Sequence, residues 1–83
     1  MEENYIITTF YSTHLALKFE NLLKKNNLKV KIIPVPRQIS ASCGLAGRAL
    51  SKDYDTILNL IEETSFDIEE IYEKIDGEYY KRK

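Results

Sequence analysis

One cysteine dominates any chemical reading of this chain of 83 residues. Cys43 closes the run Val35-Pro36-Arg37-Gln38-Ile39-Ser40-Ala41-Ser42-Cys43-Gly44, which has few large apolar side chains besides Ile39, so no core pattern claims it. A thiolate is the competent nucleophile, and proteins favour it over the thiol with cationic neighbours, hydrogen-bond donors and helix N-termini. Arg37 supplies the cation, Ser40 and Ser42 with the nearby amides supply donors, and Gly44 permits a left-handed turn that would shape the loop. The ordinary alternative is a cysteine that packs as a small hydrophobe, the commonest fate of a lone one.

A second chemical residue, His14, stands just after Ser12-Thr13. It is a candidate proton acceptor for Cys43, in the manner of Cys/His nucleophilic catalysis. A histidine at a helix start is, more ordinarily, a surface residue, and no third group that would orient it is evident. One cysteine and one histidine can form neither an internal disulfide nor a Cys/His zinc site within one chain. No Gly-rich phosphate loop or paired-carboxylate motif occurs, so the sequence points to no metal and no bound cofactor.

The elements that must position these residues follow from periodicity. Tyr5-Ile6-Ile7-Thr8-Thr9-Phe10 is rich in β-branched and aromatic residues and reads as a strand. Ser12 or Thr13 then caps an amphipathic helix with the apolar stripe Leu15, Ala16, Phe19, Leu22, Leu23, which Asn26-Asn27 stops; only Leu17 lies off the stripe. Leu28, Val30 and Ile32 alternate with Lys29 and Lys31 as a second strand ending near Ile33, before Pro34 and Pro36. Leu45 to Leu50, with small residues suited to mid-sheet, is the third strand. Ser51 is the expected cap of a helix with stripe Tyr54, Ile57, Leu58, Ile61. Glu69 to Ile75 is the last strand, Asp76-Gly77 turns the chain, and residues 78–83 are expected to fray.

Strand, helix, strand, strand, helix, strand predicts an α+β fold: a ferredoxin-like βαββαβ sandwich, one domain over residues 1–83, whose four-stranded antiparallel sheet carries two helices on one face. That topology puts Tyr11 to His14 and Arg37 to Gly44 at the same end of the sheet. The uncovered face, with Ile7, Tyr72 and Ile75, offers a surface for a homodimer, unless the tyrosine-bearing tail covers it.

A chain this short buries only about 60% of its unfolded surface, so chemistry belongs at an edge and not in a deep cavity. Residues 1–52 hold eight Lys/Arg against three Asp/Glu and residues 53–83 hold four against ten, which reads as two halves neutralising each other and gives nucleic acid binding no support. No apolar run is long enough to span a membrane, and the start Met1-Glu2-Glu3-Asn4 is acidic where a signal peptide would be basic. The expectation is a cytoplasmic protein with no membrane association.

The run Pro34-Val35-Pro36-Arg37-Gln38-Ile39-Ser40-Ala41-Ser42-Cys43-Gly44 resembles the Pro-Val-Pro-Arg-x-Ile-Ser-x-Ser-Cys-Gly stretch of a small bacterial family of selenium/sulfur carrier-like proteins. Ser12-Thr13-His14 with the helix after it is similar to that family's other recurring segment, and the resemblance covers roughly residues 5–75. It implies that Cys43 carries sulfur or selenium as a persulfide or selenosulfide between a donor and an acceptor protein, making the chain a carrier and not a complete enzyme. Arg37, Ser40, Ser42, Gly44 and Thr13 would then shape the loop and its surroundings. The rival is a noncatalytic module that binds a small ligand or a protein segment, with Cys43 structural.

Overall fold

A computed structural model describes residues 4–83; the acidic start Met1-Glu2-Glu3 lies outside the described residues. The elements are β1 (Tyr5–Thr9), α1 (Thr13–Lys25), β2 (Val30–Pro34), β3 (Leu45–Leu50), a 3-10 turn (Ser51–Asp53), α2 (Tyr54–Thr64), β4 (Glu70–Ile75) and β5 (Glu78–Lys81). They form an α+β fold in which one antiparallel sheet runs in the order β2-β3-β1-β4-β5. The sheet has five strands, where four were expected.

The fifth strand comes from the tail. Asp76 (φ 50°) and Gly77 (φ 84°) both take left-handed conformations, as a two-residue hairpin turn of the primed type demands. Glu78–Lys81 thus folds back on β4, with Lys74 opposite Tyr79 and Tyr72 opposite Lys81. Ion pairs hold the hairpin from the side: Lys81 to Glu70 at 2.8 Å and Arg82 to Glu73 at 2.8 Å. With Lys24–Glu20 on α1, every ion pair among the described residues lies within one half of the chain. Among the described residues the halves do not neutralise each other by direct pairing.

Both helices cover one face. Ile6, Phe10, Ala49 and Ile71 from the sheet side meet Ala16, Phe19 and Leu23 of α1 and Ile57 and Ile61 of α2 in one buried cluster. Ser12 caps α1 by accepting the Leu15 N–H at 3.3 Å. The helix ends at Asn26, and Asn27 turns left-handed (φ 60°) so that the Leu28 N–H returns to Leu23 O at 2.9 Å, a Schellman closure. Ser65 ends α2 in the same way (φ 52°), with the Phe66 N–H on Ile61 O. Phe66 is thereby aimed at Phe10 and Phe19, 6.4 and 5.7 Å between ring centroids. In β3 a Cβ on Gly47 would stand 3.1 Å from the Phe19 ring, tight enough to push the ring aside, so glycine lets the helix seat close at this point.

Two local expectations change. Ser51 does not cap α2; it opens the 3-10 turn, and its hydroxyl donates to Glu73 of β4 at 2.5 Å. Strand β2 runs one residue further, through Pro34, which an edge strand tolerates because the missing N–H costs no ladder bond on its outer side. No helix among the described residues is long and apolar enough to cross a membrane.

The face away from the helices is not bare. Ile7 (1% exposed) lies under Ile39 from the β2–β3 loop and beside Ala46, with Tyr5, Ile33, Val35, Tyr72 and Tyr79 around them. The patch offered for self-association is therefore closed within the chain at Ile7. Ile75 lies on the other side, sharing its parity along β4 with Ile71 of the helix-side cluster.

Candidate functional site

The strand registers bring three connections to one end of the sheet. Thr9 at the end of β1 pairs with Ala46 near the start of β3 and with Glu70 at the start of β4, while Pro34 at the end of β2 pairs with Leu45. The start of α1, the loop of residues 35–44 and the α2–β4 connection consequently share that end.

The loop is held at each step. The Val35 N–H donates to Gly44 O at 3.0 Å, continuing the β2–β3 ladder past Pro34, and the Ile39 N–H closes a turn onto Pro36 O at 3.0 Å. Arg37 and Gln38 occupy the corner of that turn and are exposed, while Ile39 (6% exposed) is pressed onto the sheet. The chain then rounds the sheet end. Ser42 meets the carboxylate of Glu69 twice: its N–H donates to Oε1 at 3.0 Å and its hydroxyl to Oε2 at 2.5 Å. Glu69 is itself fixed, its N–H donating to Thr9 O at 2.8 Å.

Cys43 sits between these two attachments, half-buried and free of any disulfide. It packs against the helix-side cluster, and its thiol donates to Leu45 O at 3.2 Å. The loop thus spans both faces of the sheet, with Ile39 on one and Cys43 on the other.

The remaining sequence candidates make no hydrogen bond to this cysteine among the described residues. Thr13, His14, Arg37 and Ser40 are exposed, and among the described residues none makes a side-chain hydrogen bond or ion pair. The donors of Ser42 face Glu69 and not the sulfur. Gly44 does not take the left-handed turn expected of it, and a Cβ there would meet nothing within 4 Å; its contribution is the carbonyl that receives Val35. Glu69 was not legible at all, because 27 residues separate it from Ser42 and no spacing rule joins an acid before one strand to a serine before another.

Next to this clasp is a second acidic contact. Glu70 accepts the Tyr72 hydroxyl at 2.6 Å and pairs with Lys81. The Lys81 ammonium, then the Tyr72 hydroxyl, hold the Glu70 carboxyl below the usual carboxylate range, and Glu70 in return pushes Lys81 and Tyr72 up. Of two consecutive glutamates, one secures β5 and the other secures the cysteine loop.

The family model described as "Putative Se/S carrier protein-like" matches residues 4–73. The chain belongs to that family. The match takes in α1, the cysteine loop and Glu69, and stops before the β4–β5 hairpin turn, so β5 lies beyond it. No curated protein and no solved structure matches the chain significantly.

Proposed function

We propose that the chain carries one sulfur or selenium atom on Cys43 between a donor and an acceptor protein. The observation that carries the reading is the placement of the chain's sole cysteine, half-buried at the end of the sheet between two anchored neighbours in a family named for carriage. A carrier needs a reachable sulfur on a loop of defined shape and an end of the molecule that other proteins can approach. It needs no enclosed pocket.

The chemistry balances without a further reactant. The Cys43 thiolate attacks the terminal sulfur of a donor persulfide, a new S–S bond forms at Cys43 as the donor's own S–S bond breaks, and the donor's inner sulfur leaves as a thiolate that takes up the proton Cys43 gave up. A donor selenosulfide would pass selenium by the same exchange. The product is an anion, and both the Arg37 guanidinium and the N-terminus of α1, which has no acidic residue in its first turn, belong to this end of the sheet. His14, the second residue of α1, is the candidate for holding the proton during exchange. The reading extends to the architecture: β1 to β4 in the order β2-β3-β1-β4 with both helices on one face supports a ferredoxin-like sandwich to which β5 is an addition. It also suits the cytoplasm, where free thiols persist.

The rival is a structural cysteine in a binding module, and the Cys43–Leu45 hydrogen bond favours it. Intact-mass spectrometry decides. Incubation with a small-molecule persulfide should add one sulfur mass that localises to Cys43, that reductant removes and that Cys43→Ser abolishes. A chain that never gains this mass, and whose Cys43→Ser variant only loses stability, has a structural cysteine.

A further inference from the structure

Resting on the carrier reading, we propose that Glu69 is a positioning residue. Its carboxylate, by holding both donors of Ser42, keeps the Cys43 thiol turned toward Leu45, and it must release Ser42 before Cys43 can meet a partner's sulfur.

The geometry makes residue 43 a short span between two fixed points. On one side Gly44 is tied to Val35, the residue after β2; on the other Ser42 is tied to Glu69, whose backbone is tied to Thr9 of β1. With both ends held, the thiol lies inward, against the helix-side core and on the Leu45 carbonyl. Sulfur transfer requires the incoming sulfur to line up with Sγ and the leaving group, which is difficult for a half-buried thiol whose proton is engaged with a carbonyl. Releasing Ser42 frees the peptide next to Cys43 while Val35–Gly44 still holds the loop base. The thiol can then turn outward without disturbing the sheet.

The clasp suits release. Two hydrogen bonds to one carboxylate are of the strong, charge-assisted kind, yet Ser42 is exposed, so a donor group on a docking protein can take over the carboxylate. The nearby ammonium of Lys81 is spent on Glu70, together with the Tyr72 hydroxyl. Glu69 is thereby left to the loop.

The test is the alkylation rate of Cys43 by iodoacetamide in the reduced, full-length chain, followed by mass spectrometry. Glu69→Ala, which removes both hydrogen bonds to Ser42, should favour the open loop enough to react about tenfold faster than the wild type, and Ser42→Ala, which loses the hydroxyl bond but keeps the N–H bond, about threefold faster. Glu69→Gln, which keeps an acceptor oxygen, should fall between. Because every variant acts on the same clasp, the double variant Ser42→Ala/Glu69→Ala should be no faster than Glu69→Ala alone. Rates within about twofold of the wild type, or effects that multiply in the double variant, overturn the proposal. Ser42→Ala alters only an exposed side chain, so the test stands even if Glu69→Ala fails to fold. Alkylation needs no carried sulfur: a chain that cannot be loaded but shows the coupled rates refutes the carrier reading alone, and a loadable chain with uncoupled rates refutes the clasp alone.

Discussion

The two faces of the sheet are closed by different means. On one, two capped helices set a cluster built around Phe10, Phe19 and Phe66 against the sheet, with Phe10 and Phe19 fully buried. On the other, the buried side chain brought in from outside the sheet's own strands is Ile39, with Val35 packed beside it, both delivered by the loop that bears Cys43. The functional loop adds only the half-buried Cys43 to the helix face, whereas on the other face it supplies the buried Ile39 that covers Ile7. The buried core of the helix face is therefore built without the loop, while that of the other face includes it.

The largest expected effect tests the independent face. Phe19→Ala removes a fully buried ring in contact with two others and should cost about 3–5 kcal/mol in denaturant unfolding. Cys43 alkylation under native conditions should rise only as far as global unfolding allows. Ile39→Ala should cost about 2 kcal/mol, the low end for such truncations because a loop can settle into the space. Hydrogen exchange should nevertheless quicken selectively in residues 35–44 while the α1 amides keep their protection. Equal quickening in both regions would remove the distinction between the faces.

A smaller effect concerns the edge strand β5. Because the Glu70 carboxyl is held below its usual range in the folded chain, its contribution is present above that range and is lost as pH falls through the folded-state value. Lys81 is raised, so its share is present at neutral pH and is lost as pH climbs through its folded-state value. The unfolding midpoint of the wild type should decline below about pH 4 more steeply than that of Glu70→Gln. Identical profiles would mean that the hairpin ion pair contributes nothing. The smallest change is Ser65→Gly, which relieves a left-handed serine at the end of α2 and should stabilise by about 1 kcal/mol.

How far the sequence could be read follows the same division. β1, α1 with its Ser12 cap and Asn26-Asn27 stop, β3 and the stripe of α2 were legible because each is specified by neighbours within a few residues. The tail was not read as a strand, although Asp76-Gly77 is a strong hairpin signal, because Glu78-Tyr79-Tyr80-Lys81 has no apolar alternation of its own. What holds it is charge on β4, at Glu70 and Glu73. Ser51 looked like a cap for the same reason that Ser42 looked like a donor to the sulfur: a hydroxyl's local options are visible in sequence, and a distant carboxylate that outcompetes them is not. Cys43 stood out by residue type and neighbours, while the Glu69 clasp is purely tertiary.

Strand β5 also decides where the molecule can be handled. It runs back along β4 until Lys83 lies level with Ile71, close to the sheet end that bears the cysteine, whereas Asn4 meets Ser51 at the far end. A purification tag or fluorophore fused after Lys83 would crowd approaching proteins, and one attached ahead of Asn4 would leave them a clear path.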